Sequence, residues 1–215
     1  LKLFFYPVVF LGILFMKLVK AISYINILIY PGKPPGLFIA LYYFSLMFYF
    51  GYIKFKLQDK LKKYIKLVLA VSLIILMLYR PPVLKINIIN VGEGDSIFIQ
   101  TPKKHTILVD TGPKINDYIA AQGKVIPFIK REGYGKIDML IITHPHLDHA
   151  GGLNYIEEKY KAGRLLAFDK PENTSLNFTH VSRGDTISVD GVNIKILYPE
   201  EGIKIQNDEN ENSIV

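Results

Sequence analysis

Three long apolar stretches with almost no polar stripe dominate residues 1–82. The first covers Leu3–Val19 and continues apolar through Ala21–Tyr30, the second is Leu37–Ile53, and the third is Ile65–Tyr79. A bilayer-spanning helix needs roughly 20 mostly apolar residues, and a buried helix of a soluble protein usually keeps a polar face. The pattern therefore predicts three transmembrane helices, whereas a secretory signal peptide would explain the first stretch alone.

A short basic loop separates the second and third stretches. Six lysines lie between positions 54 and 66, against one acidic residue, Asp59. Short loops rich in Lys and Arg stay on the cytoplasmic side of a membrane. We therefore expect a multi-pass protein of the cytoplasmic membrane with residues 83–215 outside the cytoplasm. Contact with anionic lipid or nucleic acid is the alternative role of this loop.

From Leu84 onward the apolar runs become short, and turns rich in Gly, Pro and Asp separate them. Their length and β-branched content predict strands, and one nearly continuous apolar run indicates a strand buried on both faces. The alternation predicts a separate α/β domain over residues 83–215, with helices outside the sheet. The predicted strands are Lys85–Val91, Ser96–Thr101, Thr106–Asp110, Ile137–Thr143, Arg164–Phe168, Phe178–Val181, Thr186–Val189 and Asn193–Leu197, and the predicted helices are Asn116–Arg131 and Gly151–Tyr160.

The charge distribution changes at the same boundary, Arg80-Pro81-Pro82. Residues 1–82 hold eleven Lys/Arg and one acidic residue, whereas residues 83–215 hold fifteen Lys/Arg and eighteen Asp/Glu. The net charge of +7 thus hides two unlike parts, which argues against a uniform nucleic-acid binder. Cysteine is absent, so disulfides and thiolate metal sites are excluded and any metal must bind His and carboxylates.

One loop carries a dense set of possible metal ligands. Thr143–His149 has the sequence Thr-His-Pro-His-Leu-Asp-His and follows the doubly buried strand. It therefore projects from the carboxyl end of the sheet, where α/β proteins commonly bind ligands. Zinc and manganese accept imidazole and carboxylate ligands. If the loop is extended, alternate side chains point the same way, so we expect His144 and His146 to share one ion and Asp148 and His149 to bind a second.

The loop and its neighbours resemble two known groups of proteins. Residues 143–152 resemble the metallo-β-lactamase signature His-x-His-x-Asp-His. Further segments resemble, in chain order, the blocks of the ComEC family, which are multi-span channels of bacterial natural transformation with a lactamase-like domain after the membrane region. The segments that resemble the ComEC blocks are Asn90–Ser96, Leu108–Gly112, Val125–Lys130 and Asn210–Ser213. The resemblance covers nearly the whole chain.

The resemblance implies a fold and a set of partners. It implies channel helices over residues 1–82 and a metallo-β-lactamase-like αββα sandwich, incomplete at its carboxyl end, over residues 83–215. The implied location is the bacterial cytoplasmic membrane. DNA at the cell surface, membrane lipid and other competence proteins are the implied partners.

The resemblance also implies roles for individual residues. Two divalent ions, zinc or manganese, are expected. Asp148 is further expected to position the attacking water. Asp110 is expected to support the metal loop. The implied metal ligands are His144, His146, Asp148 and His149, and the residues implied to contact substrate or support the site are Asp95 and Ser96.

Several positions depart from the family pattern. Glu93 stands where the family often has Gln, and His180 and His105 are expected to be structural and solvated, respectively. The sequence stops before the later Gly-Asp and His blocks that supply the remaining ligands in the family. Because it opens with Leu1 and closes on an apolar strand pattern, we expect an internal fragment of a longer protein.

The leading hypothesis is a DNA-uptake channel whose extracytoplasmic domain hydrolyses the phosphodiesters of the non-transported strand. The acidic balance of residues 83–215 weighs against it, because neutralising phosphates requires Lys and Arg. Two alternatives remain: a membrane-tethered metallo-hydrolase of small esters or thioesters, and a non-catalytic channel scaffold.

Overall fold

Three helices precede an α/β domain along the chain. The helices are α1 (Lys2–Ser23), α2 (Gly36–Tyr49) and α3 (Asp59–Leu78). α2 begins directly after Pro34-Pro35. Proline is tolerated at the start of a helix but breaks the helix when it lies in the interior. The structure is a computed structural model that describes residues 2–23, 32–53, 57–79, 81–172, 174–203 and 212–215.

The described helices do not support the prediction of three transmembrane spans. Within the described ranges, no helix combines the length and the apolar character needed to cross a bilayer. α2 has 14 residues, which at a rise of about 1.5 Å each falls short of a hydrocarbon core of about 30 Å. Three of the predicted features lie partly outside the described residues. They are the apolar continuation Ala21–Tyr30, the start of the basic loop and the boundary at Arg80, because the structure does not describe residues 24–31, 54–56 and 80.

Many apolar side chains on these helices are exposed. Phe10, Phe15 and Met16 on α1 are 65%, 64% and 65% exposed. α2 and α3 pack against each other, with Phe48 buried. Such a surface is costly in water, since each exposed apolar side chain forgoes about 1.5–3 kcal/mol of burial.

A six-stranded mixed sheet organises the α/β domain. The strands of the domain are β1 (Lys85–Ile88), β2 (Ile97–Gln100), β3 (Thr106–Val109), β4 (Lys114–Ile115), β5 (Tyr118–Ile119), β6 (Lys136–Ile141), β7 (Lys161–Ala167), β8 (Phe178–His180), β9 (Thr186–Val189) and β10 (Val192–Lys195). The order in the six-stranded sheet is β1-β2-β3-β6-β7-β8. The first three strands pair antiparallel, and β3, β6, β7 and β8 run parallel. The parallel strands therefore share one carboxyl edge.

The central strand β6 is buried on both faces, as its apolar run predicts. Leu140 and Ile142 belong to one apolar cluster, and Met139 and Ile141 belong to the other. All four side chains are at most 3% exposed. The alternation follows from the two-residue period of a strand.

A different layer covers each face of the sheet. Helices α4 (Ile126–Arg131) and α5 (Leu153–Lys159) pack on the first cluster. The β9–β10 hairpin covers the second cluster with Ile187 and Ile194. The result is a helix–sheet–sheet layering, which agrees with the metallo-β-lactamase-like α/β fold implied by the sequence resemblance.

The prediction of one helix over Asn116–Arg131 is wrong in its first part. β4 and β5 form a small antiparallel hairpin there, and Asn116 takes a left-handed conformation with φ 52° at its turn. Asparagine tolerates this conformation better than most residues. A π-helical turn over Ala121–Val125 then leads into α4.

Candidate metal centre

Two neighbouring parallel strands bring the candidate site together. Asp110 follows β3, and Thr143 and His144 follow β6. The Asp110 backbone N–H donates to the Ile141 carbonyl at 2.9 Å and continues the strand pairing to the edge of the sheet. The polar residues after both strands therefore meet at the carboxyl edge, as expected for an α/β domain.

Asp110 is a buried hydrogen-bond acceptor beneath the loop. It is 2% exposed and takes a left-handed conformation with φ 57°. Its Oδ1 accepts the Thr143 N–H at 2.9 Å, and its Oδ2 accepts the Thr143 hydroxyl at 2.8 Å. Oδ2 also lies 2.9 Å from Nδ1 of His149. These contacts join Asp110 to Thr143 at the start of the loop and to His149 at its end.

The hydrogen bonds to Asp110 fix the orientation of His149. A carboxylate has no proton to donate, so Nδ1 of His149 carries the hydrogen of this bond. This arrangement leaves Nε2 as the nitrogen available to a metal, and the nearest Asp148 oxygen lies 3.5 Å from it. A carboxylate behind a histidine in this way sets the tautomer used for metal binding.

His144 has a buried ring nitrogen that a metal would satisfy. The residue is 6% exposed, and its Nε2 has no hydrogen-bond partner among the residues the structure describes. Its Nδ1 lies 3.2 Å from the Thr143 hydroxyl and 3.1 Å from the Ser213 hydroxyl. Because the Thr143 hydroxyl donates to Asp110, its lone pairs can accept from Nδ1 of His144. Burial, and then the neighbouring His149 ring, lower the pKa of His144 and favour the neutral form that metals bind.

Three donor side chains converge closely enough to hold one metal ion. Ligand atoms of His144, Asp148 and His149 all lie within 4.8 Å of one another. The His144 and His146 rings are 5.0 Å apart between centroids. His144 was expected to share an ion with His146, but the structure groups its ligand atoms with those of Asp148 and His149 instead. The reason is a turn in the loop, in which the His149 N–H donates to the His146 carbonyl at 3.0 Å. This turn brings His149 back toward His144, with 4.0 Å between ring centroids.

The segment before β2 packs directly under the metal loop. Ser96 is 1% exposed, and its hydroxyl donates to the Asp110 carbonyl at 3.1 Å, so it supports the site from below. The exposed carboxylate of Asp95 lies 4.0 Å from Nδ1 of His149. Gly94 has φ 118°, and a Cβ there would overlap the Asp148 carbonyl oxygen. This close approach requires glycine.

Thr111 connects the loop to the start of α5. Its hydroxyl donates to the His149 carbonyl at 2.9 Å and accepts the Gly152 N–H at 2.9 Å. A Cβ on Gly152 would overlap Ala121, so the contact between these segments is tight. The carboxyl side of the loop is therefore also held by hydrogen bonds and close packing.

The motif did not reveal several supporting residues. Thr143 and Thr111 carry no ligand signature, and only their positions directly after buried strands could have indicated them. Ser213 lies in a segment that resembles a ComEC block, but the resemblance implied no defined role for this residue. Its hydroxyl lies 3.1 Å from Nδ1 of His144. In the same segment, residues 210–211 lie outside the described part of the chain.

The remaining candidates lie away from the three-residue cluster. His180 contacts the Phe168 carbonyl at 2.6 Å and Glu201 at 3.0 Å, which agrees with a structural role. His105 is half exposed but also lies 2.7 Å from the Asp190 carboxylate, so it is more than a solvated side chain. Glu93 is exposed.

Comparison with known proteins identifies the domain. Residues 89–167 match the model of the metallo-beta-lactamase superfamily. This segment corresponds to a metallo-β-lactamase domain. All three clustered donors, Asp110 and the supporting threonines lie within the matched segment.

The relatives of this metallo-β-lactamase domain include competence proteins. The chain is 24% identical over 141 residues to ComE operon protein 3 of Bacillus subtilis, covering 54% of this chain and 18% of that protein. It is 30% identical over 83 residues to Competence protein ComA of Neisseria gonorrhoeae, covering 36% and 11%. It is also 34% identical over 67 residues to Hydroxyacylglutathione hydrolase of Nitrobacter hamburgensis, covering 31% and 26%. The ComEC resemblance is confirmed over about half of this chain, less than the nearly whole chain that was expected. The chain spans less than a fifth of the two competence proteins.

The residues present fit the divalent ion that this superfamily implies. The fit rests on the unsatisfied Nε2 of His144 and on the lone pair of His149 Nε2, set by Asp110. Two imidazoles and a carboxylate suit zinc or manganese.

Proposed function

We propose that this chain is part of a ComEC-like DNA-uptake protein whose metallo-β-lactamase domain hydrolyses the phosphodiesters of the strand that is not transported. The observation that carries the proposal is the convergence of His144, Asp148 and His149 above the buried carboxylate of Asp110. The homology to competence proteins supports DNA as the substrate.

Each residue has a defined task in this proposal. His144 and His149 would hold a metal through Nε2, and Asp148 and His146 would complete the ligands that this chain contributes. A bound divalent ion supplies Lewis acidity and lowers the pKa of a water molecule to about 7. The carboxylate of Asp148, 52% exposed, is also placed to orient the attacking water and accept its proton. Asp110 and Thr143 keep both rings in the required tautomer.

The first part of the chain belongs to the same proposal. We assign residues 1–82 to helices of a channel in the bacterial cytoplasmic membrane, with residues 83–215 outside the cytoplasm. The exposed aromatic and aliphatic side chains of α1 support contact with lipid or with other helices. Alkaline extraction of cell membranes tests this assignment, since release of the protein with the peripheral fraction would contradict it.

The nuclease proposal is tested in the full-length gene product. The zinc- or manganese-loaded protein should cleave a single-stranded oligonucleotide, and His144→Ala and Asp148→Asn should each abolish cleavage. His105→Ala, which removes a histidine outside the cluster, is the matched control and should retain cleavage. Equal cleavage by His144→Ala and the control would contradict the proposal.

The second candidate function is hydrolysis of small thioesters or esters. The similarity to Hydroxyacylglutathione hydrolase over 67 residues supports this candidate. Parallel assays with an acylated glutathione and an oligonucleotide separate the two functions. Metal binding without turnover of either substrate would instead favour a non-catalytic scaffold.

A further inference from the structure

A lysine-lined cavity lies at the amino edge of the sheet. It has a volume of about 680 Å³ and sits where β6 and β7 begin. The metal loop follows the other end of β6, so the two features occupy opposite ends of one strand. The side chains that define the cavity are Lys130, Lys136, Lys159, Lys161, Glu158 and Tyr160.

The positive charge at this cavity contrasts with the rest of the domain. Four lysines face one glutamate there, while residues 83–215 as a whole carry more acidic than basic residues. Lys159 lies 3.8 Å from Glu158, and Lys136 lies 2.6 Å from Asp138. These two carboxylates offset only part of the charge, so the cavity keeps a net attraction for anions.

Two of the lysines are direct neighbours across the sheet. Lys136 of β6 and Lys161 of β7 are partners in the parallel register. Like charges at paired positions destabilise a sheet. Asp138 already lies against Lys136, so the pair places two ammonium groups beside the cavity with one carboxylate next to them, and an anion there would offset the remaining charge.

The wall of the cavity is held in place. The Tyr160 hydroxyl donates to the Tyr134 carbonyl at 2.7 Å. The ammonium of Lys130 lies 5.8 Å from the centroid of the Tyr160 ring. An anion entering the cavity therefore meets lysines on a firm, concave frame.

We propose that this cavity binds the phosphodiester backbone of single-stranded nucleic acid, at a site separate from the metal centre. The volume lies within the roughly 300–1,000 Å³ of ligand pockets, and a flexible single strand can follow such a concave basic surface. The proposal rests on nucleic acid being the substrate in the proposed function, and it supplies the basic surface that an acidic domain needs for a polyanion.

The test is a metal-free binding measurement on the full chain. Binding of a fluorescein-labelled oligothymidylate is followed by anisotropy in EDTA over a series of salt concentrations. For single strands, each lost phosphate contact lowers the slope of log K against log salt by about 0.7. The Lys159→Gln/Lys161→Gln variant should therefore lose about 1.4 from the slope and bind more weakly at every salt concentration.

Matched variants separate this site from general charge and from misfolding. Lys124→Gln/Lys195→Gln makes the same change in charge on exposed lysines elsewhere and should keep the wild-type slope. Lys159→Arg/Lys161→Arg should restore binding, and Glu158→Gln should strengthen it. Identical slopes in the two glutamine pairs, or weaker binding by Glu158→Gln, would overturn the proposal.

A parallel arm uses vesicles of phosphatidylglycerol. If Lys159→Gln/Lys161→Gln stops co-sedimenting with vesicles but binds the oligonucleotide normally, lipid is the ligand and the proposal is wrong. Because binding is measured without metal, absence of cleavage by the loaded full-length protein would contradict only the proposed function.

Discussion

Nδ1 of His149 and Oδ2 of Asp110 lie 2.9 Å apart, which joins the metal loop to the carboxyl end of the neighbouring strand β3. This contact fixes which nitrogen of His149 is left for a metal. The site is therefore prepared by a residue 39 positions earlier in the chain.

Removing the charge of Asp110 should weaken metal binding without changing the ligands. In Asp110→Asn the side chain keeps its size, and asparagine tolerates the left-handed backbone. The weaker acceptor no longer fixes His149, and loss of such a partner typically costs 10–100-fold in metal affinity. Zinc titration calorimetry measures this change. Asp95→Asn, at 4.0 Å and exposed, is the control and should bind zinc almost normally.

Zinc should stabilise the protein through His144. A ligand at about 100 times its Kd adds about 2.7 kcal/mol to the free energy of unfolding. His144→Ala removes the unsatisfied Nε2 and should lose most of this zinc-dependent increment. His105→Ala should keep it, even if its own unfolding temperature falls. A full zinc increment in His144→Ala would show that the metal binds elsewhere.

Gly94→Ala should disturb the metal loop far more than Gly92→Ala. Both glycines have positive φ, so either substitution costs about 1–2 kcal/mol of backbone strain. Only at position 94 would the new Cβ also overlap the Asp148 carbonyl, whereas position 92 is open. Chemical unfolding and zinc affinity measured on both variants isolate this packing contact. Equal zinc affinity in the two would contradict it.

The His180–Glu201 pair should stabilise the protein over a limited pH range. The hydrogen bond with Glu201 raises the pKa of His180 above its ordinary value of 6.5, and the same bond lowers the pKa of Glu201 below 4.5. The contribution of His180 is complete below pH 6.5 and disappears as the pH rises through its raised pKa. That of Glu201 is complete above pH 4.5 and disappears as the pH falls through its lowered pKa.

Thermal unfolding between these limits measures the effect of the pair. The difference in unfolding temperature between wild type and Glu201→Gln should be largest between pH 4.5 and 6.5 and should shrink above the pKa of His180. A difference that does not change with pH would show that the ion pair contributes nothing. Asp169 also acts on His180, so Asp169→Asn should shift the upper limit downward.

The sequence predicts those features that depend on local pattern. The apolar run of β6 predicts a doubly buried strand, and the density of histidine in residues 144–149 predicts the site that follows it. Both signals lie within a few neighbouring residues. For the same reason, the start of the helix predicted at Asn116 was wrong, since a left-handed turn residue outweighed the helical pattern of the apolar residues.

The geometry of the site depends on contacts between distant segments. The loop was expected to be extended, but the hydrogen bond from His149 to the His146 carbonyl turns it and groups His149 with His144. The hydroxyl of Thr143 reaches Asp110 between the ends of two neighbouring strands, and that of Ser213 reaches His144 from 69 positions away. No periodicity or spacing in the sequence encodes these approaches.

Strand β6 sets a minimum length for a substrate that uses both of its ends. Lys136 opens the strand, and the metal loop begins two residues after its last residue, Ile141. Six residues at about 3.3 Å each separate the two ends by roughly 20 Å. At the rise of about 3.4 Å per nucleotide of a stacked strand, roughly six nucleotides reach from one end to the other, and an extended strand needs fewer. Turnover should therefore increase with the length of the oligonucleotide until it reaches both ends of β6.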